Sequence, residues 1–259
     1  MSRAAPPEPP SEAPEEESGE RLMTVLEHIE ELRFRLFISA LTVVIGLVVT
    51  YFFRGEIIDL LKQPAESRSE DFELQAIVPF ETFVTVFRVS LLGGLILGMP
   101  MIVYQGLRFV SPGLNPNERR WLYATVAGTF LLFLGGVAFA FYIALPPALD
   151  FLLNFGSEFA ESNITVSSYV DFVTRLLFWT GVVFQTPLIV MYLARFGIVS
   201  AGQLLRWWRF AIVAAFIVAA IVTPTIDPVT QSLVAGPIIV LYFLGIALAV
   251  FVQPRRRGT

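Results

Sequence analysis

Very few side chains of this sequence could carry out catalytic chemistry. The chain contains no cysteine and one histidine, His28, so it can form neither a disulfide, nor a thiolate site, nor a metal site built from several histidines. It shows no H-E-x-x-H motif and no legible pairing of a nucleophile with a base, and one histidine cannot fill both roles. The sequence therefore predicts a protein that is not an enzyme and that uses no metal or other cofactor.

Two glutamates lie at spacings that are typical of structural roles. Glu31 lines up with Glu27 and Arg35 at i, i+4 spacing, which favours a solvated salt-bridge ladder on a helix. Glu118 follows Asn115 at the N3 position of a predicted helix start, where its carboxylate can bond the N-cap amide. Pattern alone favours the structural interpretation of both residues.

Three strongly polar side chains lie within or beside apolar stretches: Arg88, Arg175 and Gln185. Such groups are costly at membrane depth, so each is a functional hypothesis. Asp171 precedes Arg175 by one helical turn, which favours a structural ion pair, and Arg88 could simply extend to the outer surface. Gln185 lies too deep for that and needs a hydrogen-bonding partner. Pro187 predicts a helix kink beside it, with a concave surface.

The elements that position these side chains are apolar helices. The chain has 259 residues, of which 55% are hydrophobic and 15% charged, and its mean hydropathy is +0.69, which is too apolar for a soluble monomer. Six apolar stretches predict an all-α bundle of six transmembrane helices, of which the fifth spans only ~20 Å against a ~30 Å hydrocarbon core. An amphipathic stripe over residues 21–36 predicts an interfacial helix before the first span. The predicted spans are 36–53, 89–107, 122–143, 172–193, 210–222 and 233–252.

The remaining segments predict the topology. Residues 1–20 are acidic and proline-rich, which is typical of a disordered tail, and residues 253–259 form a basic tail after a single domain at 21–252. Arginines are concentrated on alternate loops, so both termini are expected on the cytoplasmic side. Prolines on either side of Asp227 predict a tight outer hairpin, which also carries Gln231.

Ordered motifs run from the predicted interfacial helix to the last span. They are His28-Ile29-Glu30-Glu31-Leu32-Arg33-Phe34-Arg35-Leu36; Pro79-Phe80-Glu81-Thr82-Phe83 with Arg88 and Ser90; Pro100, Tyr104 and Gln105; Phe109, Pro112, Gly113, Leu114, Glu118, Arg119 and Arg120; Phe184-Gln185-Thr186-Pro187; and Thr223-Pro224 with Asp227 and Gln231. Together they resemble the TatC family of the twin-arginine (Tat) protein-export system, over about residues 22–252.

The resemblance implies a receptor core in the bacterial inner membrane that binds twin-arginine signal peptides of folded substrates. It implies that Glu31 and Glu118 are acidic acceptors, with Arg33 and Phe109 in the same patch, and so overrides the structural interpretation of both glutamates. A carboxylate accepts the planar fork of a guanidinium in a way that it cannot accept a lysine ammonium. Gln185 stands where the family commonly has a glutamate; its amide can form hydrogen bonds but cannot titrate.

The resemblance also implies partners. We expect TatA/TatB-type single-span proteins, with Gln185 and Arg88 as intramembrane docking residues, together with membrane lipid and further copies of the chain, and no nucleic acid. The alternative function is a secondary transporter of a small solute or ion, whose pathway Arg88, Arg175 and Gln185 would line. The absence of repeat symmetry and of a membrane-embedded acid counts against that alternative.

Overall fold

A computed structural model describes residues 25–68, 74–110, 119–154, 165–195, 197–223 and 228–252. Within these ranges the chain is almost entirely α-helical, which confirms the predicted all-α class. The helices are α1 (Val25–Phe52), α2 (Arg54–Glu66), α3 (Glu81–Val110), α4 (Arg119–Phe139), α5 (Leu145–Asn154), α6 (Val166–Val183), α7 (Thr186–Arg195), α8 (Ala201–Arg206), α9 (Trp208–Val222) and α10 (Pro228–Val252). The predicted tails at 1–20 and 253–259 lie outside the described residues.

Six apolar elements account for the membrane-spanning architecture. In the described part of the chain, five segments are long and apolar enough to cross a membrane: Leu26–Phe52, Glu81–Phe109, Thr125–Leu152, Val166–Arg195 and Thr230–Val252. The sixth, α9, is apolar but has only 15 residues, about 22 Å of helix. Its shortness was expected from the sequence.

The observed helices begin earlier along the chain than the predicted spans. The predictions followed apolar stretches and therefore left out the polar first turns. Residues 25–36 do not form a separate interfacial helix, since no proline or glycine interrupts the run and α1 continues from Val25 to Phe52. α10 begins at Pro228, where the missing amide hydrogen of proline costs nothing. The sequence interpretation missed α2 altogether. It also missed α5, which follows a π-helical turn at Ala140–Ala144.

Successive spans run in opposite directions, so the bundle has two ends. The N-terminal end holds the start of α1, the end of α3 and α8. The α2 end holds α2, α5 and the starts of α3 and α6, and the contacts among these elements and their flanking residues include the following three. Arg68 pairs with Asp150 at 2.8 Å, and the Tyr169 hydroxyl donates to the Leu61 carbonyl at 2.6 Å. The Val166 amide donates to the Gln75 carbonyl at 3.2 Å.

The helices approach most closely where glycines face each other. A Cβ atom on Gly94 of α3 would lie 2.6 Å from the backbone nitrogen of Leu47 in α1, and one on Gly136 of α4 would lie 2.9 Å from the Cα of Gly181 in α6. Small residues of this kind let helix backbones meet inside a bilayer, where packing rather than hydrophobicity drives association. Two tight seams, α1 with α3 and α4 with α6, therefore fix the side chains described below.

Candidate functional site

The side chain of Glu31 lies at the N-terminal end of the α1–α3 seam and is 16% exposed. Arg35, one turn further along α1, donates its Nε to the Glu31 Oε1 at 2.9 Å and bonds the same oxygen through Nη2. The Arg35 Nη1 also donates to the Oε1 of Gln105 on α3, at 3.3 Å. The expected i, i+4 pair thus forms, but it is largely buried between two helices rather than solvated.

The second carboxylate oxygen of Glu31 has a different environment. Oε2 is buried and accepts no hydrogen bond from the described part of the chain. The His28 Nδ1 lies 3.9 Å away, and the His28 ring stacks on Phe109 with centroids 4.3 Å apart and planes inclined by 14°. An unsatisfied buried acceptor is energetically unfavourable, so this oxygen gains much from a donor that reaches it.

The family resemblance implied that Glu31 and Phe109 lie in one patch, but the contacts that His28, Arg35 and Gln105 make in this cluster were not predicted. His28, Glu31 and Arg35 follow each other at i, i+3 and i+7, so they share one face of α1. Gln105 and Phe109 are one turn apart on α3 and share a face of that helix. What the sequence lacked was the pairing of these two faces, which only the helix packing supplies.

Arg33 is not brought together with Glu31 and Phe109. It lies two residues beyond Glu31, about 200° around the helix. There it lines an open groove of about 670 Å³ with Glu30 and Phe34. Glu118 lies outside the described residues; it directly precedes α4, which starts at the N-terminal end.

Gln185 lies at the break between α6 and α7. The helix ends at Val183 and resumes at Thr186, so it is interrupted next to Pro187, where the sequence predicted a kink. Gln185 is 8% exposed, and its Nε2 donates to the Thr129 carbonyl of α4 at 3.0 Å. Its Oε1 is buried without a hydrogen bond in the part of the chain that the structure covers. The amide therefore has its expected partner within the chain and keeps one open acceptor, while the expected concave surface stays a prediction.

The two intramembrane arginines share one acid. The Arg175 Nη2 lies 2.9 Å from the Asp171 Oδ2, so the expected pair on α6 is present. The Arg88 Nη1 lies 2.9 Å from the Asp171 Oδ1. Arg88 thus bridges α3 to α6 instead of only extending to the surface, a partnership that no sequence pattern indicated.

The expected outer hairpin joins α9 to α10 through residues 223–227. The Nε2 of Gln231 donates to the Phe216 carbonyl at 3.0 Å and so ties the two helices together. Asp227 lies outside the described residues. The outer position of this hairpin and a functional role for Asp227 and Gln231 stay predictions.

Comparisons with known proteins agree with the family resemblance of the sequence motifs. Residues 27–237 match the family model "Sec-independent protein translocase protein (TatC)". The chain is 41% identical over 231 residues to the chloroplastic Sec-independent protein translocase protein TATC of Arabidopsis thaliana, covering 89% of this chain and 67% of that one. It is 39% identical to the Sec-independent protein translocase protein TatC of a Synechocystis strain, covering 86% of this chain and 87% of the relative. A crystal structure of the twin arginine translocase receptor TatC superposes with a TM-score of 0.77 at 34% identity, covering 87% of this chain and 99% of that chain.

Proposed function

We propose a receptor function for this chain, which belongs to the TatC family of Sec-independent protein translocase proteins. As a family member it is a multi-span membrane component of the twin-arginine translocase, a transport protein rather than a catalyst. The proposal adds that it binds the twin-arginine signal peptides of folded export substrates and recruits TatA/TatB-type single-span proteins.

The observation that supports peptide binding best is the open Oε2 atom of Glu31. Arg35 occupies Oε1, so the carboxylate is already oriented, and a guanidinium from a peptide can donate to the remaining oxygen. The half-exposed His28 ring lies beside this oxygen, with its Nδ1 3.9 Å away, and would have to move aside for the ligand. Phe109, freed from the histidine, then offers an aromatic face on which a guanidinium can stack.

Charge balance explains why a second carboxylate belongs to the proposed site. Arg35 neutralises much of the charge of Glu31, so Glu31 alone attracts an incoming arginine only weakly. Glu118, in the connection between α3 and α4, would add a negative charge for the second arginine of the motif. Two carboxylates would also favour arginine over lysine, because only the guanidinium has a planar fork of donors.

Partner recruitment is proposed for Gln185. Its buried Oε1 can accept a hydrogen bond from a polar side chain of a partner helix that approaches between α4 and α7. Because Gln185 is 8% exposed, this contact requires a small separation of the two helices. Arg88 is a second docking candidate, although its link to Asp171 already occupies part of its guanidinium.

The proposed location is a bacterial inner membrane, with both termini cytoplasmic and more than one copy of the chain per complex. The distribution of arginines supports this orientation. It would place the N-terminal end of the bundle, with Glu31, on the side from which a folded substrate arrives. Relatives include chloroplast as well as bacterial proteins.

Site-specific photocrosslinking tests the proposal. A photoreactive phenylalanine analogue would replace Phe109 in the full chain in membrane vesicles, and Phe53, exposed at the α2 end, would be the control position. The twin-arginine peptide should crosslink from position 109 and not from position 53, and a twin-lysine peptide should crosslink from neither. Equal crosslinking from both positions, or of both peptides, would contradict the proposed site.

A further inference from the structure

The cluster of Arg88, Asp171 and Arg175 carries more positive than negative charge, which neither ion pair would do by itself. One carboxylate holds two guanidiniums, each through one of its oxygens at 2.9 Å. The cluster therefore carries a net charge of about +1 and keeps two positive groups side by side. Both guanidiniums also retain N–H donors that Asp171 cannot accept.

The cluster is open to the side of the bundle. The Arg175 side chain is 61% exposed and the Arg88 side chain 38% exposed, whereas Asp171, between them, is 28% exposed. Apolar residues on the same helix faces are also exposed: Val84 at 37%, Leu91 at 36% and Trp179 at 42%. This surface thus combines a cationic pair with apolar side chains one turn away.

The position along the helices fits the level of lipid headgroups. The spans predicted from the sequence begin at Val89 and Phe172, which places the cluster where the hydrocarbon region starts at the α2 end. Phosphate groups of a bilayer occupy the same level.

We propose that Arg88 and Arg175 form a binding site for the phosphate of an anionic phospholipid, and that Asp171 limits the affinity of this site by offsetting one of the two positive charges. Arginine binds phosphate through paired N–H donors, and two adjacent guanidiniums offer more donors than one phosphate needs. An acyl chain would lie along Leu91 and Trp179, which are deeper in the bilayer than the two arginines. We favour a lipid over a partner helix with an acidic side chain. Lipid phosphates are always present at this depth, whereas a partner helix would need a carboxylate at this one depth.

The lipid affinity of the full chain in detergent tests this inference. Native mass spectrometry would measure retention of phosphatidylglycerol and of zwitterionic phosphatidylcholine. Arg175→Gln is the informative variant, because the Arg88 to Asp171 link between α3 and α6 remains. We expect phosphatidylglycerol binding to weaken about fivefold, with little change for phosphatidylcholine. Arg54→Gln, at an exposed arginine of the same end, should bind both lipids like the parent chain.

Asp171→Asn separates the lipid site from a purely structural ion pair. Removing the acid raises the net charge of the cluster, so phosphatidylglycerol should bind as tightly as before or more tightly, provided that the elution profile shows a folded chain. Inorganic phosphate, which lacks acyl chains, should not displace the lipid at millimolar concentration. Unchanged lipid binding by Arg175→Gln, weaker binding by folded Asp171→Asn, or displacement by inorganic phosphate would each overturn the inference. None of these measurements involves a signal peptide, so their failure would leave the proposed receptor function untouched.

Discussion

Replacing Glu31 with glutamine probes the proposed peptide site at a single pair of atoms. The glutamine amide is nearly isosteric with the carboxylate, and its oxygen can still accept the hydrogen bonds of Arg35. Its nitrogen then lies where Oε2 lay and presents donors instead of an acceptor. An incoming guanidinium would therefore meet N–H donors instead of an acceptor, and its charge-assisted hydrogen bond would be lost.

The expected magnitude follows from the loss of that bond. Hydrogen bonds to a charged group contribute ~1.5 to 3 kcal/mol, so Glu31→Gln should weaken binding of a twin-arginine peptide roughly ten- to a hundredfold. The weakened pair with Arg35 affects the free and bound receptor alike, so it should contribute little to the difference. Arg35 also keeps its hydrogen bond to Gln105, which helps the α1–α3 seam to remain intact.

Fluorescence anisotropy with a labelled twin-arginine peptide and the full chain in nanodiscs would measure the affinity. Glu30→Gln is the matched control, because Glu30 is the neighbouring residue on α1 but lines the groove on the other face of the helix. Its affinity should stay within about twofold of the parent chain. Two further peptides would each carry lysine in place of one of the two arginines. The peptide that lacks the arginine bound by Glu31 should lose the least affinity on Glu31→Gln, and so identifies that arginine.

The same series applied to Glu118→Gln tests the second acceptor. If the two carboxylates bind different arginines, the free-energy losses should add in the double variant. The reasoning would be refuted if folded Glu31→Gln and Glu118→Gln each bound the peptide with the affinity of the parent chain. The two glutamates would then keep only their structural roles.

Three further changes test the packing and the docking proposal. Gly136→Ala should lower the free energy of unfolding by ~1–3 kcal/mol, because the added methyl would lie 2.9 Å from the Cα of an α6 residue, whereas Gly135→Ala, which meets nothing within 4 Å, should not destabilise the chain. Tyr169→Phe should cost ~0.5–1.5 kcal/mol by removing the hydrogen bond that its buried hydroxyl donates to the Leu61 carbonyl, and thermal unfolding in detergent would show either loss. Gln185→Leu should reduce crosslinking to a single-span partner roughly three- to thirtyfold and leave peptide affinity unchanged; equal partner crosslinking would contradict the docking role.

The sequence predicted those features that depend on one helix at a time. Apolar runs located the spans because a bilayer requires long apolar helices, and Pro187 located the break because it removes a backbone donor. The Asp171 to Arg175 pair was predictable because both residues belong to α6. The hairpin of α9 and α10 followed from prolines in the short connection between them.

Features that depend on two helices were not predictable. The burial of Glu31 is set by α3, and nothing in α1 indicated that Gln105 would accept from Arg35. For Arg88 the sequence offered a docking role or a side chain that extends to the surface, but not its ion pair, because its acid lies far along the chain on α6. The helix α2 was missed because it contains Pro64 and no apolar run longer than two residues before that proline.

The packing of α1 against α3 explains why the Oε2 atom of Glu31 can remain without a hydrogen bond in the described part of the chain. Backbones that meet at Gly94 leave little room for α1 to rotate, and two hydrogen bonds from Arg35 hold the Oε1 atom of the carboxylate. Turning the second oxygen toward another donor would therefore break these two bonds. A carboxylate held in this way needs no reorientation when a guanidinium arrives, so the reorganisation that binding requires is confined to the His28 ring. Gln185 differs, because it lies at a helix break, where a partner could separate α4 from α7 without disturbing the seam that positions Glu31.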